Sequence, residues 1–249
     1  MRVDLYTALG QSERAVVVCL DYLRGLGVDW SLRPTEAEAQ YEYERIWLQL
    51  GDRAIEELIE LPLMSDPASL ATMDVLTKVL PPAAFTNLNL VDLIICRMVN
   101  LSLEQGNSDS SCFAYACLGM AAGPHFSDYK AGFRSGQLGY ELVERRGLRR
   151  FQARTYMTVG AHLVVWTRHV RVGQDLKRRA FEIANKSGDL IFGAYSRLNL
   201  NTNLLAAAIH LMECNVKPSL AWSLRRWRGS VSSLTSSPPS SGLSEPCVA

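Results

Sequence analysis

Few residues in this 249-residue chain have types and spacing suited to chemistry, and each has a plainer role to set beside it. His162 and His169 stand seven residues apart with Trp166 between them. On one helix they would share a face and could offer two imidazoles to a metal. No cysteine or carboxylate falls at ligand spacing beside them, so packing or surface roles are the expectation. Cys112, Cys117 and His125 are too irregularly spaced for a zinc site, and the thiols read as buried. The carboxylate pairs Glu56-Glu57 and Glu141/Glu144 belong on solvent-facing sides of helices. The densest charge cluster is Arg145, Arg146, Arg149, Arg150 and Arg154, flanking Gly147. It could dock an acidic protein partner, a phosphate or nucleic acid. Its plainer reading is a solvated turn, with arginines favoured at the C-terminus of the preceding helix. Tyr115, Tyr156 and Tyr195 could line a peptide groove, but aromatics at recurring positions more often fill the core.

The strings that enzymes of the common nucleotide classes require are missing. No Gly-x4-Gly-Lys-Ser/Thr loop gathers backbone amides and a lysine around phosphate, and no His-Arg-Asp or Asp-Phe-Gly string occurs. There is no Gly-x-Ser-x-Gly elbow and no histidine in a phosphoacceptor context. The reading is therefore non-catalytic, without cofactor or metal. A net charge of +1 gives no global attraction to nucleic acid or to anionic membrane. With 48% apolar and 20% charged residues the composition is that of a globular protein. No apolar run approaches the roughly 18 residues of a spanning helix. The first residues show no signal peptide, and six scattered cysteines suit reduced thiols. A cytoplasmic location and protein partners, rather than nucleic acid or membrane, are expected.

The elements that would carry these residues are helices. Period-2 alternation is absent, and apolar residues recur at helical spacing. A helix over 2–9 closes at Gly10. A second, capped by Ser12, runs to about Leu26 with Ala15, Val18, Cys19, Tyr22, Leu23 and Leu26 on its buried face. Thr35 and Glu38 form a capping-box pair opening a helix that stops at Gly51. A short helix covers 52–60. Asp66-Pro67 starts another, which should end before Pro81-Pro82. Residues 87–105 form a strongly apolar helix. The next, 111–122, should be broken by Gly123-Pro124. Helices over 128–146, 150–169, 174–187 and 190–210 follow. From residue 215 onward ten serines and four prolines replace the helical pattern, and that tail reads as disordered.

Between 106 and 200 a 41-residue step organises the chain. Gly106, Gly147 and Gly188 keep it, as do Leu101, Leu142 and Ile183. Tyr115-x2-Leu118-Gly119 is followed by Tyr156-x2-Val159-Gly160, and Gly132 by Gly173. Fixed-period similarity marks an architecture in which stacking buries what no single unit can bury. Gly119 and Gly160 are expected inside helices, where lack of a side chain admits a neighbouring helix. The fold class is all-α, with antiparallel helix pairs stacked as a tetratricopeptide-like superhelical array. Three regions are expected: an N-terminal helical region (1–105), the repeats (106–212) and the tail (213–249).

Several stretches carry a family resemblance. They are Ile55-Glu-Glu-Leu-Ile-Glu-Leu-Pro-Leu-Met-Ser-Asp-Pro67, Leu76-Thr-Lys-Val-Leu-Pro-Pro-Ala-Ala-Phe85, Met98-Val-Asn-Leu-Ser-Leu-Glu-Gln-Gly-Asn107, Asp128-Tyr-Lys-Ala-Gly-Phe133 and Trp166-Thr-Arg-His-Val170. The chain resembles, over about residues 1–212, the helical region of large bacterial signalling proteins. In that family a serine/threonine-kinase-like domain, an AAA-type ATPase, helical repeats, a GAF sensor and often a histidine kinase share one polypeptide. The resemblance implies a connecting scaffold between ATPase and sensor, with structural rather than catalytic motifs. It also allows a role in regulating such a kinase. The change of composition near Glu213 raises the expectation of a truncated or frameshifted product. Cut there, the array would expose Leu204, Leu205, Ile209 and Leu211 and associate readily when isolated.

Overall fold

The computed structural model describes residues 2–164 and 170–206, and among them there is no strand. The chain divides into two compact units, Met1–Asn203 and Leu204–Ala249. Leu204 is buried rather than exposed at the end of the array as expected, and Ile209, Leu211, the 213–249 tail, Trp166 and His169 lie outside the described residues. The helices are α1 (Arg2–Ala8), α2 (Ser12–Gly25), α3 (Glu36–Leu50), α4 (Pro67–Ala83), α5 (Leu88–Gln105) and α6 (Asp109–Phe126). They continue as α7 (Tyr129–Arg146), α8 (Gln152–Thr158), α9 (Val170–Ser187) and α10 (Leu190–Ala206). A 3-10 turn over Ile55–Glu60 stands where a short α-helix from 52 was expected.

Local chemistry starts most of these helices where the sequence points. Thr35 Oγ1 accepts from the Glu38 N–H at 3.3 Å, and the Glu38 carboxylate accepts from the Thr35 N–H at 2.7 Å. Asp66 accepts from the Ser69 N–H at 2.8 Å, and Asn87 from the Leu90 N–H at 2.9 Å. Each contact satisfies an N–H that the helix itself cannot. Gly106, Gly147 and Gly188 end their helices at φ +96°, +69° and +76°, backbone that side chains rarely tolerate.

Several boundaries differ from expectation, and contacts distant in sequence explain the clearest case. Helix α4 passes through Pro81 and Pro82 to Ala83. Pro81 has no N–H to give the Thr77 carbonyl, and an arginine guanidinium, Arg154 Nη1, donates to that oxygen at 3.3 Å. Helix α6 likewise runs beyond Gly123-Pro124 to Phe126, ending at left-handed Ser127. Ser12 is the first residue of α2 rather than its cap, and the helix buries Ala15, Val16, Cys19, Leu20 and Leu23. Tyr22 and Leu26 face water because the Val16/Leu20 stripe, not the adjacent one, meets the neighbouring helices. Helix α8 passes into a π-type turn, Val159–Leu163, in which the Val164 N–H reaches Val159 O. Helix α9 has begun by Val170, four residues ahead of expectation, so Gly173 lies inside it.

Packing follows the 41-residue step. Helix α6 lies against α7, and α8 with its π-turn against α9. At both interfaces two glycines cross. A Cβ on Gly119 would stand 2.9 Å from Gly132 O, and one on Gly160 would stand 3.0 Å from Gly173 O. One apolar core runs from Val16 in α2 to Phe192 in α10. Tyr115 and Tyr156 are fully buried in it, so these two recurring tyrosines are core residues, while Tyr195 is partly buried and packs against the core.

Candidate functional site

The arginine cluster sits where α7 turns into α8, and its five side chains divide into two groups. Arg146 and Arg154 are partly buried, and Arg150, though exposed, binds across to another element. Arg146 Nη1 donates to Ile59 O at 2.6 Å, and its guanidinium stands 3.8 Å from the Glu60 carboxylate. Arg150 grips Asp74 with two bonds of 2.8 and 2.9 Å, and its own N–H donates to Asp109 at 2.8 Å. Arg154 donates Nε–H to Asp189 at 2.7 Å and lies 4.6 Å over the Phe192 ring. A planar fork with five donors suits these simultaneous contacts. Arg145 and Arg149 are exposed. Arg145 makes a within-helix contact to Glu141 at 3.3 Å, a pair of small value in water. Arg146, Arg150 and Arg154 are committed to partners in other elements, so the surface left for an acidic partner is centred on Arg145 and Arg149, with the exposed Arg150 beside them.

The remaining candidates are scattered. His125 Nδ1 lies 2.7 Å from Asp92 Oδ1, linking α5 to α6, and burial raises the Asp92 carboxyl. Cys112 and Cys117 are buried in α6 without a shared ligand set. Burial pushes both thiols well above their ordinary range, which makes them unreactive. Among the described residues no cluster of three or more histidine, cysteine or acidic side chains could hold a metal. Glu56 is bound by both arms of Arg134, whose hydrogen bonding lowers its carboxyl to about 2. Glu144 does not simply face water: it accepts from the Tyr156 hydroxyl, and Arg179 covers the same ring at 4.6 Å.

Two features were not visible as chemistry in the sequence. The first is Lys177 in α9. It is fully buried, and its Nζ has no hydrogen-bond partner. Its stem lies across Gly160, and burial depresses its amine to about 8. The 41-residue step places Gly136 in the corresponding earlier position, and that irregularity was the available signal. The second is an apolar cavity of about 290 Å³ bounded by α4, α5 through Val91, α6, α8 with its π-turn, and α10. Phe113, Met120, Met157 and Phe192 form much of its wall, and His162 projects to it from the π-turn. Burial lowers the His162 imidazole below its usual range, with the nearby Lys177 charge adding to the effect.

Among known proteins, the chain is similar over 144 residues to the hybrid signal transduction histidine kinase G of Dictyostelium discoideum. The identity is 27%, and the similarity covers 56% of this chain but 4% of that protein. No family model matches the chain, and no solved structure matches it. Structurally it is an all-α protein of mutually packed helices. In sequence its similarity is to part of a signalling kinase, and it spans a small fraction of that relative's length. Among the described residues no helix is long and apolar enough to cross a membrane.

Proposed function

We propose that the chain is a non-catalytic, tetratricopeptide-like helical scaffold from a multidomain signalling kinase or ATPase. In this reading it acts in the cytoplasm and transmits contact between an ATPase and a sensor domain. The observation that carries the reading is the pair of glycine crossings at one 41-residue step. The recurring positions bring helices together at Gly119/Gly132 and Gly160/Gly173, while Tyr115 and Tyr156 fill the core. Positions repeated for packing build a spine, and such spines present surfaces to partners. The similarity to a signal transduction histidine kinase supports the signalling context. Arg145 and Arg149 form the candidate surface for an acidic protein partner. A preparation of the whole chain should show neither nucleotide hydrolysis nor phosphate transfer above buffer. Hydrolysis that is measurable and sensitive to mutation would refute the non-catalytic reading. Light scattering should show association of the isolated chain, and a monodisperse monomer would count against an exposed stacking face.

A further inference from the structure

The apolar cavity has the size, wall chemistry and polar group of a small-molecule site. Its volume of about 290 Å³ is about twice the ~150 Å³ of a dry cavity that admits benzene. That is space for two fused rings. The walls favour an aromatic occupant. Phe113 and Phe192 meet edge-to-face with centroids 5.4 Å apart, and Tyr195 meets Phe192 the same way at 5.5 Å. A further ring can extend this edge-to-face arrangement. Arg154, lying over Phe192 and bonded to Asp189, holds that wall in position. Met120 and Met157 supply adaptable, polarisable surface.

His162 provides the directional contact. The π-turn displays its ring, and such turns recur at functional positions. His162 and Met120 also border a second cavity, of about 280 Å³, between α6, α7 and the π-turn. His162 therefore borders two open spaces while remaining partly buried. Its titration is governed by burial and the Lys177 charge, not by a hydrogen bond. Because burial lowers its pKa, the ring stays neutral near pH 7 and keeps one nitrogen able to accept a proton donor.

We propose that the cavity between α4, α6, the π-turn and α10 binds a bicyclic aromatic molecule bearing one N–H or hydroxyl donor, which His162 accepts. This goes beyond the scaffold role and does not depend on it.

The test uses the full chain and indole as probe, with indene as the same shape without the N–H. Calorimetric titration should show one saturable site for indole. The methyl resonances of Met120 and Met157 should shift, while those of the distant Met64 and Met98 stay in place. Ala84 lies exposed on the cavity rim, so Ala84→Trp should close the entrance without disturbing the core. It should weaken indole at least about tenfold, the equivalent of roughly 1.4 kcal/mol. His162→Phe, checked for unchanged helicity, should weaken indole about fivefold, the worth of one hydrogen bond, and leave indene unaltered. Absence of binding up to about 1 mM indole, or wild-type affinity in Ala84→Trp, would overturn the site. Equal loss of indole and indene in His162→Phe would overturn the role of the imidazole.

Discussion

Replacing Gly173 with alanine tests the helix crossing directly. A Cβ at this position would stand 2.4 Å from Gly160 O, whereas ordinary van der Waals contact begins near 3.4 Å, so the shortfall is about 1 Å. The obstructing atom is backbone and cannot rotate away. Helix α9 must withdraw from the π-turn, and overpacking of this kind costs about 1–3 kcal/mol. Alanine returns about 1 kcal/mol through helix propensity. Because the shortfall is large, the net effect should be a destabilisation of about 1–2 kcal/mol. The counterpart Gly132 would place its Cβ 3.1 Å from Gly119 O, a shortfall of about 0.3 Å, so Gly132→Ala should come out near neutral. Gly193 in α10 has its nearest neighbour at 3.6 Å, and Gly193→Ala should stabilise by about 0.5–1 kcal/mol. Urea unfolding of the three variants, followed by far-ultraviolet circular dichroism, gives the ranking. If Gly173→Ala proves as stable as Gly193→Ala, the close crossing does not exist in solution.

Two further outcomes follow from buried charge and from the arginine clasps. Lys177→Met should stabilise the chain at pH 7, because it replaces an unpaired buried ammonium with an apolar side chain of similar length. The folded amine titrates near 8 and the unfolded one near 10.5, so wild-type stability rises with pH across that interval and the advantage of methionine shrinks. Equilibrium unfolding as a function of pH reads this, and a pH-independent difference would refute it. Arg154→Leu should cost about 2–3 kcal/mol, since it strands the Thr77 carbonyl and the half-buried Asp189 carboxylate. Arg149→Leu on the exposed side should stay within about 0.5 kcal/mol. Thermal melts of the pair that move equally would contradict the division of the cluster.

The parts legible in sequence are those fixed by neighbours within a turn or two. Thr35 with Glu38, Asp66 with Pro67, and Asn87 announce helix starts because the groups that satisfy each other lie three residues apart. The glycines at 106, 147 and 188 announce ends for the same local reason. Even the crossing of α6 and α7 left a trace, since two glycines had to recur together. The continuation of α4 through Pro81-Pro82 left none: the donor that relieves Thr77 is 77 residues further along the chain. The pairing of Arg146, Arg150 and Arg154 was hidden likewise, because their acceptors at Ile59, Asp74 and Asp189 belong to other elements. His162 could be noticed as a histidine, but its cavity is assembled from five helices and has no signature in any one of them.

The arginines that bind across elements also bear on how the molecule responds to force and heat. In a stacked array whose units touch only their neighbours, each interface opens separately and the ends melt first. Here Arg150 ties the α7–α8 turn back to α4 across 76 residues, and Arg154 joins α4 to the start of α10. Such staples skip intervening units and bind α4 to the α7–α8 turn and to the start of α10. A pull on α10 would be felt in α4 before the layers between them had slid. The stretch from α4 to the start of α10 should therefore yield in one concerted step rather than layer by layer.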